Sequence, residues 1–131
     1  MSKEVLLDKS TMIVSETDMK GNIIYANNDF CKIAGYTKDE LIGKPHNIVR
    51  HQDMPKIAFK GLWDTIGEGK TWNGIVKNKT KNGDYYWVNA TAYEVLKSDG
   101  SRRLISVRKM PTKNEISYAE TLYKQLKKEE Y

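Results

Sequence analysis

The stretch WNGIVKNKTKNGDYYWVNATAYEVL, residues 72–96, decides the architecture. It holds two runs rich in β-branched and aromatic residues, separated by Asn82-Gly83, a dipeptide that accepts the positive φ angles of a tight hairpin. Beyond it Asp99-Gly100 marks a second turn, and RRLISVRKM (102–110) reads as another strand. Three long antiparallel strands are therefore expected in the second half. Upstream, TMIVSETDMKGNIIYANN (11–28) reads as two shorter strands about a Lys20-Gly21-Asn22 turn.

Helical patterns fill the interval between these strand groups. Asn28 or Asp29 is the expected cap of a helix through DFCKIAGY (29–36), ended by Gly35. A second short helix, KDELIG (38–43), stops at Gly43 in the same way. In PKIAFKGLWDTIGEG (55–69), Pro55 suits the first helical position, and Ile57, Leu62, Trp63 and Ile66 recur at helical spacing. From Lys113 onward Ile116, Ala119, Leu122, Tyr123 and Leu126 form one apolar stripe, on a helix that either docks on its own domain or leads toward another. EVLLDKS (4–10) suits a short amphipathic helix with Val5 and Leu6 as its apolar contacts. The pattern is α+β, with a five-stranded antiparallel sheet, short helices and a C-terminal helix.

Composition narrows the classes of function. A chain of 131 residues suits one compact domain. The net charge of +5 comes from lysines interspersed with acids, so a nucleic-acid partner is not expected. No apolar run approaches the roughly 20 residues that span a bilayer, and no secretory signal opens the chain. The single cysteine, Cys31, allows no intramolecular disulfide, which suits the cytoplasm. No nucleophile elbow, phosphate loop, dinucleotide fingerprint or metal cluster is present, so no catalytic residue is assigned and an enzyme is not expected.

Alternation along the strands sorts the candidate site residues. Trp72, Gly74, Val76 and Asn78 share a face with Tyr86, Val88, Ala90 and Ala92 and with Leu104, Ser106 and Arg108. That face is rich in small residues, whereas a packed interior normally fills such space with larger ones. It leaves room either for a planar ligand with polar edges, with Trp72 near the rim and Asn78 bonding it, or for a closely packed helix. PHNIVRHQDMP (45–55) carries both histidines of the chain. His46 and His51 stand five apart, which fits no common zinc pattern. The Arg50 guanidinium suits a pyrophosphate or Asp53, and Asp53 also suits a helix cap.

The segments GYTKDELIGKPHNIVRHQDMP (35–55), LWDTIGEGKTWNGIVKNKTKNGDYYWV (62–88) and EISYAETLYKQL (115–126) occur in the element order β-β-α-α-α-β-β-β. Together they resemble a PAS domain, and more closely the flavin-binding PAS domain of bacterial aerotaxis receptors. The resemblance implies a PAS fold over 11–110, with an N-terminal cap at 1–10 and a linker or docking helix at 111–131. It implies a bound FAD whose redox state is the signal, with no substrate turned over, although the residues alone do not separate FAD from FMN. Arg50, His51 and Asp53 would then belong to the cofactor-holding segment, with Trp63, Trp72, Asn78 and Ser106 close to the ring. Asn78 matches an amide that contacts the flavin in light-sensing relatives, and Arg108 stands where those relatives carry glutamine. They also carry a reactive cysteine on the middle helices that this chain lacks there, so no flavin–cysteine adduct is expected. The small residues then read as clearance for the cofactor. The implied partner is a methyl-accepting chemotaxis signalling module, in cis or in trans, with a PAS homodimer as a further option. The implied location is cytoplasmic, with recruitment to the membrane through a receptor partner. A PAS domain binding haem or another small molecule, or a ligand-free PAS interaction module, is the alternative.

Overall fold

A computed structural model of the chain describes residues 2–130. The elements in order are β1 (Met12–Thr17), β2 (Ile23–Ala26), α1 (Asn28–Ala34), α2 (Lys38–Leu41), a 3-10 turn (His46–Val49), α3 (Lys56–Gly67), β3 (Trp72–Lys79), β4 (Tyr85–Leu96), β5 (Arg102–Lys109) and α4 (Lys113–Glu129). The strands form one antiparallel sheet in the order β2-β1-β5-β4-β3. The α+β arrangement read from the sequence is the one observed.

The β3–β4 hairpin turns where Asn82-Gly83 stands, with Gly83 at φ +93°. Thr80 fastens this turn by donating to Asn82 Oδ1 and accepting from the Asp84 N–H. Its register sets Asn78 opposite Tyr86 and Gly74 opposite Ala90, so the small and polar residues of the two strands share one face. That face is covered by α1, α2, the 3-10 turn and α3. Ile13, Ile23, Phe30, Leu41, Val49, Tyr86 and Val88 form the dry part of the core there.

Four local expectations differ from the structure. α2 ends at Leu41 with Ile42 as an extended cap, before Gly43 is reached. The cap of α1 is Asn27, whose side chain accepts from the Phe30 N–H. Asp29 already lies in the first helical turn and accepts from the Met12 N–H instead. Pro55 is the extended N-cap of α3 rather than its first helical residue, with ψ at 147°. Residues 4–10 form no helix. The Val5 N–H donates to the Tyr85 carbonyl at 2.7 Å and the Tyr85 N–H to the Lys3 carbonyl at 3.0 Å. β5 pairs with β4 only as far as Asn89, so the start of β4 has backbone groups in need of partners, and the first residues of the chain supply them in extended form. The buried residue of the segment is Leu7; Leu6 is 76% exposed.

The other face of the sheet carries α4. Thr112 and Glu115 form a reciprocal capping box at its start. Tyr123 donates to the Ile75 carbonyl at 2.5 Å, and the Glu130 carboxylate accepts from the Lys56 N–H at the head of α3. Trp87 and Met54 are buried beneath this helix.

Candidate functional site: a cavity on the inner sheet face

Between the inner sheet face and α3 lies a cavity of about 110 Å³. Its floor is Ala90, Ala92, Leu104, Ser106 and Arg108, with Val76 and Asn78 from β3 and Thr17 from β1. α3 contributes Phe59, Leu62 and Trp63, and the segment from the 3-10 turn contributes His46, Asn47 and Arg50. The Trp72 indole lies against Gly74, so close that a Cβ there would come within 2.5 Å of it. The space left by Gly74 is thus filled by the chain's own tryptophan. A void of about 150 Å³ takes a single benzene ring, so a fused three-ring ligand requires wall side chains such as Trp72, Phe59, Leu62 or Trp63 to shift.

The buried charge of the cavity lining is Arg108, 3% exposed. One terminal nitrogen bonds His46 Nε2 at 2.7 Å and the other donates to Ser15 Oγ at 2.7 Å, with Ser15 Oγ 3.2 Å from His46 Nε2. The guanidinium carbon lies 4.7 Å from the centre of the Phe30 ring. Among the described residues no carboxylate pairs with this cation, and its Nε is buried without a partner. Burial lowers the Arg108 pKa to about 10, which leaves the group charged at neutral pH. Burial, and then the charge of Arg108, push His46 down to about 3. His46 is therefore neutral. Because a guanidinium only donates, Nε2 is the acceptor and Nδ1 carries the ring proton.

Arg50 occupies the mouth. Its guanidinium stacks 3.7 Å above the Phe59 ring, while its backbone bridges that of Asn78 on β3. The Asn78 side chain, 4% exposed, faces the cavity beside Tyr86, whose hydroxyl burial raises to about 12.

Of the residues singled out from the sequence, Arg50, Trp63, Trp72, Asn78, Ser106 and Arg108 meet around this one cavity. His51 and Asp53 point elsewhere. After Arg50 the chain turns round the β3 edge, where Asp53 accepts from Lys77 Nζ at 2.8 Å and the Asp53 N–H donates to His51 Nδ1 at 3.0 Å. The His51 ring meets Tyr85 edge-on. Thr17 and Phe59 line the cavity too but were not singled out from the sequence, and His46, whose spacing from His51 fits no common zinc pattern, bonds Arg108. Alternation of Ile13, Ser15 and Thr17 on β1 would have found the first, and the helical spacing of Phe59 from Trp63 the second. No cluster of three metal-ligating side chains exists among the described residues.

The family described as the PAS fold matches residues 23–108, from β2 through β5. The chain belongs to the PAS family. This PAS domain is 46% identical, over 92% of its length, to the aerotaxis receptor of Escherichia coli strain K12, of which it covers 24%. It is 35% identical over 79% of its length to the biofilm dispersion protein BdlA of Pseudomonas aeruginosa, again covering 24% of that relative. The chain thus spans about a quarter of the length of these proteins. Among solved structures it superposes on a light-oxygen-voltage domain studied with a flavin analogue, with a TM-score of 0.71 and 17% identity over 92% of this chain and 90% of that one. The blue-light photoreceptor Aureochrome1 LOV gives a TM-score of 0.69 at 18% identity, covering 92% of each chain. At such identities the likeness speaks for the fold alone. No helix among the described residues is long and apolar enough to cross a membrane.

Proposed function

We propose that this PAS domain binds FAD and reports cellular redox state to a chemotaxis signalling module, in cis or in a separate chain. The observation that carries the reading is Arg108, a buried cation with no carboxylate partner among the described residues, on the lining of a cavity with aromatic sides. A planar ligand that gains negative charge on reduction gives such a cation its counter-charge, and the cation in turn favours the reduced form. The similarity to the aerotaxis receptor over nearly the whole chain supports the same reading.

The residues present suit this group. The flavin supplies reversible electron exchange when bound. The chain's own residues hold and tune it. Asn78 offers an amide to the ring edge, and Arg50 at the mouth suits phosphate oxygens. His46 and Ser15 fix the direction of the Arg108 fork, while Ala90, Ala92 and Ser106 leave the floor low. His51 and Asp53 serve the site by tying the 50–54 segment to β3, which keeps Arg50 in register with Asn78. A change of charge in the cavity shifts the pairing of Asn78 and Arg108, and the 46–50 segment carries that change outward. Haem is disfavoured, because His46 Nε2 is engaged by Arg108 and His51 lies outside the cavity.

The test is the absorption spectrum of the purified protein, followed by chromatography of the material released on denaturation. Flavin bands and released FAD are the expected result. A Soret band, or a colourless protein that takes up no added flavin, overturns the reading. Arg50→Ala and Asn78→Ala should each lower flavin occupancy while the far-ultraviolet circular dichroism stays unchanged.

A further inference from the structure

Gly74 stands inside β3, where glycine loosens a strand and brings no side chain to pack. The usual reasons for it are missing. Its backbone has no positive φ, and pairing with β4 runs unbroken through Gly74 and Ala90, so no bulge calls for it. The space above it belongs to Trp72, two positions earlier on the same face. A Cβ on residue 74 would lie 2.5 Å from both Cζ2 and Cη2 of the indole, whereas carbon atoms in contact stand about 3.5–4.0 Å apart. Any side chain here displaces the ring. Gly74 is a berth for the outer ring of the indole.

The direction of that displacement gives the berth its meaning. Trp72 packs against Ile66, Ala92 and Leu104 and lines the cavity. A Cβ on residue 74 points to the inner face, so it pushes the ring off the strand and into the space between sheet and α3. That space is the cavity, which has only about 110 Å³ to spare. On the helix side the crowding is absent: a Cβ on Gly61 would sit 3.9 Å from the indole Nε1, an ordinary contact. We propose that Gly74 is a specificity-determining residue, which keeps the Trp72 indole out of the cavity and so sets how large a planar ring the cavity accepts. With the indole berthed, a fused ring system finds its room by moving side chains of α3; with the indole displaced, that room is gone. This assignment rests on the flavin reading and refines it by naming the pair that sets ligand size.

The experiment titrates cofactor-free protein with FAD, following flavin fluorescence and the visible band. Wild type, Gly74→Ala, Trp72→Phe, the double variant and Gly61→Ala are compared, with melting temperatures of the cofactor-free forms. Phenylalanine lacks the outer ring that meets position 74. Gly74→Ala is expected to weaken FAD binding about tenfold or more in the wild-type background, but less than about threefold in the Trp72→Phe background. Its melting temperature should stay within a few degrees of wild type, because alanine suits a strand better than glycine and the cavity receives the ring. Gly61→Ala should bind FAD as wild type does and melt at the same or a higher temperature. Undiminished FAD affinity in Gly74→Ala means that the ring leaves toward solvent; it overturns the assignment and leaves the flavin reading intact. Equal losses in both backgrounds, or a loss of fold that Trp72→Phe restores, give Gly74 a backbone or packing role and overturn it too. So does a loss in Gly61→Ala as large as that in Gly74→Ala, since any bulk beside the ring would then suffice. Wild-type protein that takes up no FAD sinks both readings together.

Discussion

Arg108 is held by two neutral groups, His46 and Ser15, in a place where a carboxylate would ordinarily be found. Removing a charge from water costs several kcal/mol, and hydrogen bonds to neutral partners recover only part of it. Arg108→Met should therefore leave the cofactor-free protein at least as stable in urea denaturation, while flavin affinity drops tenfold or more. Loss of stability without loss of affinity would show that the guanidinium serves packing alone. His46 makes a second prediction at this scale. Unfolded, it titrates near 6.5; folded, burial and Arg108 hold it near 3, so only the unfolded chain takes up a proton between these values. Its contribution to stability is flat above about pH 7 and is lost as pH falls through that window, by up to about 1.4 kcal/mol per unit. Denaturation curves at pH 7.5 and pH 5 should diverge in wild type and lie closer together in His46→Gln, with the remaining gap owed in part to His51, which burial also depresses.

Elements are joined by contacts that cross the sheet. α3, which walls the cavity, starts after Pro55 with no side-chain cap of its own, and Glu130 at the far end of the chain supplies a carboxylate to its first N–H. A negative group there suits the helix dipole. Glu130→Ala and Tyr123→Phe should each cost about 1 kcal/mol and speed amide exchange in α4 and in the first turn of α3 together. Faster exchange in α4 alone would mean the two helices are not linked. The long strands were legible because hairpin signals such as Asn82-Gly83 are local and strand alternation has a fixed period. The helix ends were less so. Asn27 wins the cap over Asn28 and Asp29 because its Oδ1 also accepts from Val14 across the sheet, and no pattern within α1 reveals that. The extended form of residues 3–7 answers a need at Tyr85, about eighty positions away, and is invisible in the segment itself.

For the whole molecule, the two sheet faces have separate duties: the inner one holds the cavity and the outer one carries α4. Much of the site was readable because alternation alone gathers Trp72, Asn78, Ser106 and Arg108 on one face. The position of Trp72 over Gly74, and the outward turn of His51 and Asp53, depend on three-dimensional packing and were not. Ligand entry should accordingly change tryptophan emission, and Trp72→Phe should reduce that change, with Trp63 on the same wall carrying the rest. The first residues carry a consequence of their own. By occupying the backbone groups of Tyr85, they close a strand end that would otherwise offer itself to any extended chain nearby. A protein shortened by seven residues, or crowded there by a fused affinity tag, should associate with itself through that bare edge. Size-exclusion chromatography would then report an oligomer manufactured by the cloning boundary, one easily mistaken for a native signalling assembly.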